Sequence, residues 1–187
     1  MLPVVVDLET SGVDHNVHAI LEIACVFLAN HDQLSLNDEF FHEHVKPFEG
    51  ALKDPQAMAL NKIPIDHPFR FEKTEKETLE KLSEKLNSLL KKNNCHRCIL
   101  IGHNAHFDLG FINKSYERVG LKSPFHRFCV LDTVSLSAVM LGETVLAKAL
   151  RRAKIGFDPS QAHSALYDAT QTAKLFCSLA NRASSVK

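Results

Sequence analysis

The chain has 187 residues, 45% of them hydrophobic, and its 22 Lys plus Arg balance 22 Asp plus Glu. That length supports one domain with its own core, expected over 1–187, without disulfide or metal staples, and zero formal charge excludes a globally basic nucleic-acid binder, so any basic patch is local. Five cysteines, an odd number, argue against a secreted disulfide framework, and the lack of an apolar signal segment, a lipidation motif or a run near the ~20 residues that span a bilayer predicts a soluble, cytoplasmic protein with no membrane partner.

The run Pro3-Val4-Val5-Val6-Asp7-Leu8-Glu9 reads as a buried strand that ends in acids and enters a turn at Thr10-Ser11-Gly12. Residues 20–28 and 40–45 are two more strand candidates around a polar stretch at 29–38, which suggests an antiparallel meander. Leucines at 79, 82, 86, 89 and 90 recur at spacings of three and four, predicting an amphipathic helix from Thr74 to about Asn93-Asn94. Cys98-Ile99-Leu100-Ile101-Gly102 reads as a buried strand, followed through His103-Asn104 by a helical pattern whose first turns hold Asp108. A fifth strand is expected at 128–131, short helices at 132–141 and 143–153 broken at Gly142, and a last helix at 164–181, with fraying from Ala183 onward. Strands first and mixed elements after predict an α/β fold with a central mixed sheet flanked by helices.

Asp7 and Glu9 are two residues apart on a strand, so their side chains share a face and can converge on one cation. Two such acids repel unless a proton or a cation lies between them, and a solvated turn with a capping acid is the plainer alternative. Asp108 alone can be an acid favoured by a helix N-terminus. His163 and Asp168 are five apart, with Ser164 as a candidate N-cap; that puts Asp168 one turn into a helix and His163 just outside it. Taken together, Asp7, Glu9, Asp108 and Asp168 are oxygen ligands suited to two divalent ions about 4 Å apart, as phosphoryl transfer uses. Such hard donors favour two Mg²⁺, with Mn²⁺ as a substitute, over Zn²⁺. His163, with an ordinary pKa near 6.5, suits a general base that takes the proton from an attacking water. Cys95-His96-Arg97-Cys98 is a lone C-x2-C without a second pair at zinc spacing, so Cys98 is read as the start of a strand.

Asp-x-Glu-Thr at 7–10, His-Asn-x-x-Phe-Asp at 103–108 and His-x4-Asp at 163–168 resemble the three motifs of the DEDDh exonuclease family. Within that family the chain is most similar to the ribonuclease T group. The text that carries the likeness is Leu21-Glu22-Ile23-Ala24, His44-Val45-x-Pro47-Phe48, 113–121, Pro124-Phe125-His126 and 161–168, spanning nearly the whole chain. The resemblance implies an RNase H-like fold with a five-stranded sheet and a homodimer that trims the 3′ ends of transfer RNA and other stable RNAs, with single-stranded DNA as a further substrate. It makes Asp7, Glu9, Asp108 and Asp168 the metal ligands and His163 the base. Phe107 and Phe128 match two positions that stack terminal bases, though either also reads as a core aromatic.

Four departures bear on substrate choice. Val13 and Leu60 occupy the other two stacking positions, and Gln56 stands where the family's glutamate helps disfavour a 3′ cytosine, so cytosine discrimination is expected to be weaker or differently built. Arg97 and Lys122 match part of the basic surface that holds the RNA body from the partner subunit. Basic residues found upstream of the family's first strand have no counterpart, so weaker RNA-body binding is expected. Lys148, Arg151, Arg152 and Lys154 form a basic cluster that an ordinary solvated helix face explains equally well. The competing expectations are an exonuclease devoted to DNA ends or short oligoribonucleotides, and a catalytically silent nucleic-acid-binding module.

Overall fold

Strand β1 (Leu2–Thr10) lies at the centre of a five-stranded sheet of order β3-β2-β1-β4-β5. β2 (Ile20–Asn30) pairs with it antiparallel on one side, and β3 (Leu34–His44) pairs antiparallel with β2. On the other side β4 (Cys98–Gly102) and β5 (Phe125–Asp132) continue the sheet in parallel. The computed structural model describes residues 1–30, 32–65, 67 and 69–184.

Helices cover both faces, which is why Val4, Val5 and Val6 are all essentially inaccessible. One face carries Val4, Val6 and Leu8, packed with α2 (Glu75–Lys92) and α3 (Ala105–Arg118). The opposite face carries Val5, Ala24, Val26 and Ile101, packed against α6 (Ala165–Ser184). Ala165, Ala169 and Ala173 recur every four residues on the buried stripe of α6, so the helix approaches the sheet closely. α1 (Pro55–Asn61), α4 (Thr133–Leu141) and α5 (Leu146–Arg152) complete the set.

The leucine periodicity holds: Leu79, Leu82, Leu86 and Leu90 are buried, and Thr74 with Glu77 forms a capping box at the start of α2. Several expected bounds change. β2 runs on to Asn30 and β3 begins at Leu34, so most of the stretch expected as a polar turn is paired strand. Leu34 and Leu36 pack partly against the α6 face while Ser35 and Asn37 alternate with them, and Asn181 on α6 bonds both the N–H and the carbonyl of Leu34, at 2.9 and 2.8 Å. β3 stops at His44, leaving Val45 in an isolated bridge to Lys73.

β5 starts three residues earlier than expected, at Phe125, which is buried; α5 is shorter than expected, and α1 is an added element. α6 continues to Ser184 where fraying was expected from Ala183; residues 185–187 lie outside the described part. Cys98 begins β4 as read from the sequence, and burial pushes its thiol up to about 12. All five cysteines are free. No single helix among the described residues is long and apolar enough to cross a membrane.

Candidate active site

Val5, Asp7 and Glu9 share one face of β1. Val5 is sealed by α6, and two and four residues further on the same face opens and presents the two acids. Glu9 is paired with Glu22 on β2, and the register breaks between Glu9 and Thr10, a bulge of the kind that bends a strand. The turn is tied down from outside. Asn61 Nδ2 donates to the Thr10 carbonyl (3.0 Å), Ser11 Oγ to the Leu52 carbonyl (2.6 Å), and the Asp54 N–H to the Ser11 carbonyl (2.7 Å). Asp54 also caps α1 through the Gln56 N–H. These bonds hold α1 beside the end of β1.

Asp108 stands in the first turn of α3 and is 5% exposed. Its position depends on Asp132 at the end of β5. One Asp132 oxygen accepts the Ala105 N–H (3.0 Å), while the other accepts those of Asn104 (3.3 Å) and Val134 (2.8 Å), so this carboxylate caps α4 and anchors the start of α3 together. Asn104 adopts a left-handed conformation, φ 72°, at that start. Thr133 Oγ1 donates to the Gly102 carbonyl (3.0 Å). A side chain at Gly102 would come within 3.3 Å of Asp108 Oδ2 and 3.0 Å of Ala105 Cα, so the strand-to-helix turn is tight where it delivers the acid.

Asp168 is in the first turn of α6, and Ser164 lies immediately before that helix, as expected. His163 is exposed and has φ 66°. Its main-chain N–H donates to Asp168 Oδ2 at 2.9 Å. Ligand-capable atoms of Glu9, His163 and Asp168 all lie within 4.8 Å of one another.

Crowded carboxylates shift one another. Burial, then the fields of Asp108, Asp168, Glu9 and Glu22, hold Asp7 well above the ordinary carboxylate range. Burial, then Glu22 and Asp168, push Glu9 up to about 8. Burial also raises Asp108, against main-chain hydrogen bonds from Asp108 itself and Leu8, and raises Asp168 against its bond from His163. Acids in this state are short of positive charge. An all-oxygen donor set of this kind fits a hard divalent cation such as Mg²⁺ or Mn²⁺.

The acids open into a cleft of about 420 Å³, lined by Asp7, Glu9, His163 and Asp168 and, on the α1 side, by Val13, Gln56 and Leu60, with Phe107 from α3. Asp108 lies beneath this surface. Phe107 rests on Phe111, ring centroids 5.0 Å apart. Phe128 is 75% exposed but is not among the lining residues, and its ring lies beside Arg127. Arg97 precedes β4 and Lys122 precedes β5, at the end of the sheet opposite the acids, so neither reaches the cleft of its own chain. In the α5 basic cluster, Arg152 pairs with Glu143.

Three positioning residues escaped the sequence reading. Asn61 and the rest of α1 had only the Asp54-Pro55 start as a signal, an N-cap followed by proline at the first turn. Asp132 was read as the opening of a helix, but its second role joins main chain 27 residues away. Glu22 appeared only as matching text, and its place opposite Glu9 follows from strand register.

Residues 4–176 match the RNase_T exonuclease family. Ribonuclease T of Yersinia enterocolitica is 50% identical over 182 residues, which is 96% of this chain and 85% of that one, and ribonuclease T of Shewanella denitrificans is 47% identical over the same share of this chain and 80% of its own. Among solved structures, E. coli exonuclease I in complex with a dT13 oligonucleotide superposes with a TM-score of 0.73 at 16% identity; the match covers 98% of this chain but only 42% of the exonuclease I chain. A 3′-exonuclease that recognises the histone mRNA stem-loop gives 0.66 at 17% identity, with 98% and 81% covered. At these identities the two structures speak for the fold, which is RNase H-like. On sequence, the chain belongs to the ribonuclease T family of 3′→5′ exonucleases.

Proposed function

We propose that the chain, as one exonuclease domain over 1–187, is a divalent-metal-dependent 3′→5′ exoribonuclease that trims the 3′ ends of transfer RNA and other stable RNAs. The observation that carries this reading is the convergence of Asp7, Glu9 and Asp168 from β1 and α6 on one cleft, with Asp108 of α3 buried close enough to raise Asp7 and the exposed His163 at the cleft's edge. The four acids are proposed to hold two Mg²⁺, for which Mn²⁺ substitutes. When bound, these ions supply Lewis acidity toward the scissile phosphate and offset charge on the leaving oxygen.

The protein's own part is positioning and proton transfer. Asp168 holds the main chain of His163, so the imidazole stays at the mouth of the cleft, where its ring takes the proton from an attacking water. Phe107 offers a face on which the terminal base stacks, while Val13 and Leu60 supply apolar contact and Gln56 an amide edge. Single-stranded ends fit such a surface without regard to sequence.

Phe128 is proposed to stack on a terminal base, and in a cytoplasmic homodimer Arg97 and Lys122 are proposed to hold the body of the RNA bound by the partner subunit. Arg97 and Lys122 lie away from their own cleft, which is compatible with a basic surface that serves the partner's active site. The test is degradation of transfer RNA with an unpaired CCA end, labelled at 3′ or at 5′, in Mg²⁺ or in EDTA. Stepwise, Mg²⁺-dependent loss from the 3′ end that stalls at the duplex is expected. Inertness on that RNA beside rapid loss of single-stranded DNA or short oligoribonucleotides would favour the alternative substrate class, and inertness on all of them a silent binding module.

A further inference from the structure

One cluster of metal-capable side chains lies outside the four acids. Glu22 on β2 is paired with His44 on β3, and His42 lies two residues before His44 on the same strand face. Their ligand-capable atoms all lie within 4.8 Å of one another. His42 Nε2 is 2.6 Å from Glu22 Oε1, and the two imidazoles meet edge to face with centroids 5.4 Å apart. The Glu22 side chain is 7% exposed and that of His42 26%, so the cluster is walled on one side and reachable on the other. His44 Nδ1 is buried with no hydrogen-bond partner among the described residues, an orphan that a ligand would satisfy.

We propose that Glu22, His42 and His44 form a second, transition-metal site of the two-histidine, one-carboxylate type, with Zn²⁺ as its representative ion. Two imidazoles and one carboxylate are a donor set suited to Zn²⁺, whereas the neighbouring all-carboxylate centre suits harder ions. On binding, the cation takes the place of the proton between His42 Nε2 and Glu22 Oε1, which moves to His42 Nδ1 when it is the single proton of a neutral imidazole and leaves to solvent when the pair carries one more. Zn²⁺ ligands at 2.0–2.2 Å in tetrahedral geometry stand roughly 3.3 Å apart, so Glu22 and His42 need separate by only a fraction of an ångström. Arg70 is the opposing charge. It is committed to the Leu21 and Val45 carbonyls and to Glu72, whose carboxylate takes up its charge.

The site clamps β3 to β2 at the rim of the catalytic cleft, because Glu22 also stands opposite Glu9. It does not depend on the exonuclease reading. Equilibrium dialysis against Zn²⁺ in millimolar Mg²⁺, which competes for the carboxylate centre, tests it directly in the full chain. One Zn²⁺ per chain is expected in the unaltered protein and in His163→Ala, with affinity at least about tenfold weaker in His42→Ala and in His44→Gln. Retention that is indifferent to His42 and His44, or that falls with His163→Ala, would overturn the assignment. Should the variants misfold by circular dichroism, ring-¹⁵N spectra of the unaltered protein decide: two histidines are expected to shift at one equivalent of Zn²⁺, and none shifting refutes the site.

Discussion

The main-chain N–H of His163 donates to the carboxylate of Asp168 at 2.9 Å, and His163 takes a left-handed φ of 66° where that bond forms. A carboxylate proposed as a metal ligand therefore also fixes the residue proposed as the base. The two functions separate by mutation. Asp168→Ala is expected to lose measurable turnover and to weaken Mn²⁺ uptake in calorimetry. His163→Ala is expected to lose about 10²- to 10⁴-fold in kcat, the usual contribution of a positioned base, with Mn²⁺ uptake nearly intact. A His163→Ala protein that takes up no Mn²⁺ would make His163 a ligand instead.

The raised acids give the cation-free protein a distinctive pH response. Glu9 has a folded-state pKa of about 8 against 4.5 as its ordinary value, so between these limits the folded state binds the extra proton and stability falls as pH rises. Each such proton contributes up to about 1.4 kcal/mol per pH unit. Asp7, raised in the same direction, adds to the slope. His44 and His103, both held low by burial, act oppositely, but only up to the ordinary histidine value of 6.5. The cleanest window is therefore pH 6.5 to 8. In EDTA the Tm is expected to fall across it, and Mg²⁺ or Mn²⁺ is expected to raise Tm more at the upper end than at the lower. A Tm in EDTA that is flat or rises over that window would contradict the assignment of Glu9 and Asp7 as proton-holding acids.

Asp132 and Gly102 support the turn that carries Asp108, and neither lines the cleft. Asp132→Ala removes the α4 cap and both bonds to the start of α3, a loss of about 1–2 kcal/mol by the usual worth of a cap. In a chain of this length that is a Tm decrease of roughly 2–8 °C, to be read by calorimetry. Activity is expected to fall further than stability accounts for at a temperature where the protein stays folded, because the turn that aims Asp108 loosens. Gly102→Ala, which crowds Asp108 Oδ2 directly, should lower kcat with a smaller change in KM. If both variants keep full kcat while folded, Asp108 does not need this support.

What could be read from the sequence was whatever local periodicity encodes. The alternation that puts Asp7 beside Glu9, the leucine spacing of α2 and the Ser164 boundary of α6 are each written within one element. β3 was read short because the alternation of Leu34 to Asn37 is only four residues long and is flanked by the polar pairs Asp32-Gln33 and Asp38-Glu39, which read as a turn, while its pairing is secured by Asn181, far along the chain. α1 is seven residues long and has little buried surface of its own, with only Asn61 fully covered. The roles of Asp132 and Glu22 depend on which strands become neighbours, a fact that no local pattern carries.

Leu60 and Val13 make base stacking the most open feature of the cleft. Both line it and both are largely exposed, so neither is held there by the core, and an aromatic ring at either position faces the same space as Phe107. Stacking on an aromatic face is worth about 1–3 kcal/mol per base, and much of that is present in the ground state as well as the transition state. Leu60→Phe is therefore expected to lower KM for a single-stranded oligoribonucleotide by about fivefold or more with kcat within about twofold, and Phe107→Ala to raise KM with little effect on kcat. Steady-state kinetics on a short oligomer, repeated with 3′-terminal cytosine and adenine, would read both effects and show whether added stacking favours one base. A Leu60→Phe protein whose KM is unchanged for both ends would place the terminal nucleotide away from α1 and leave Phe107 as the stacking face.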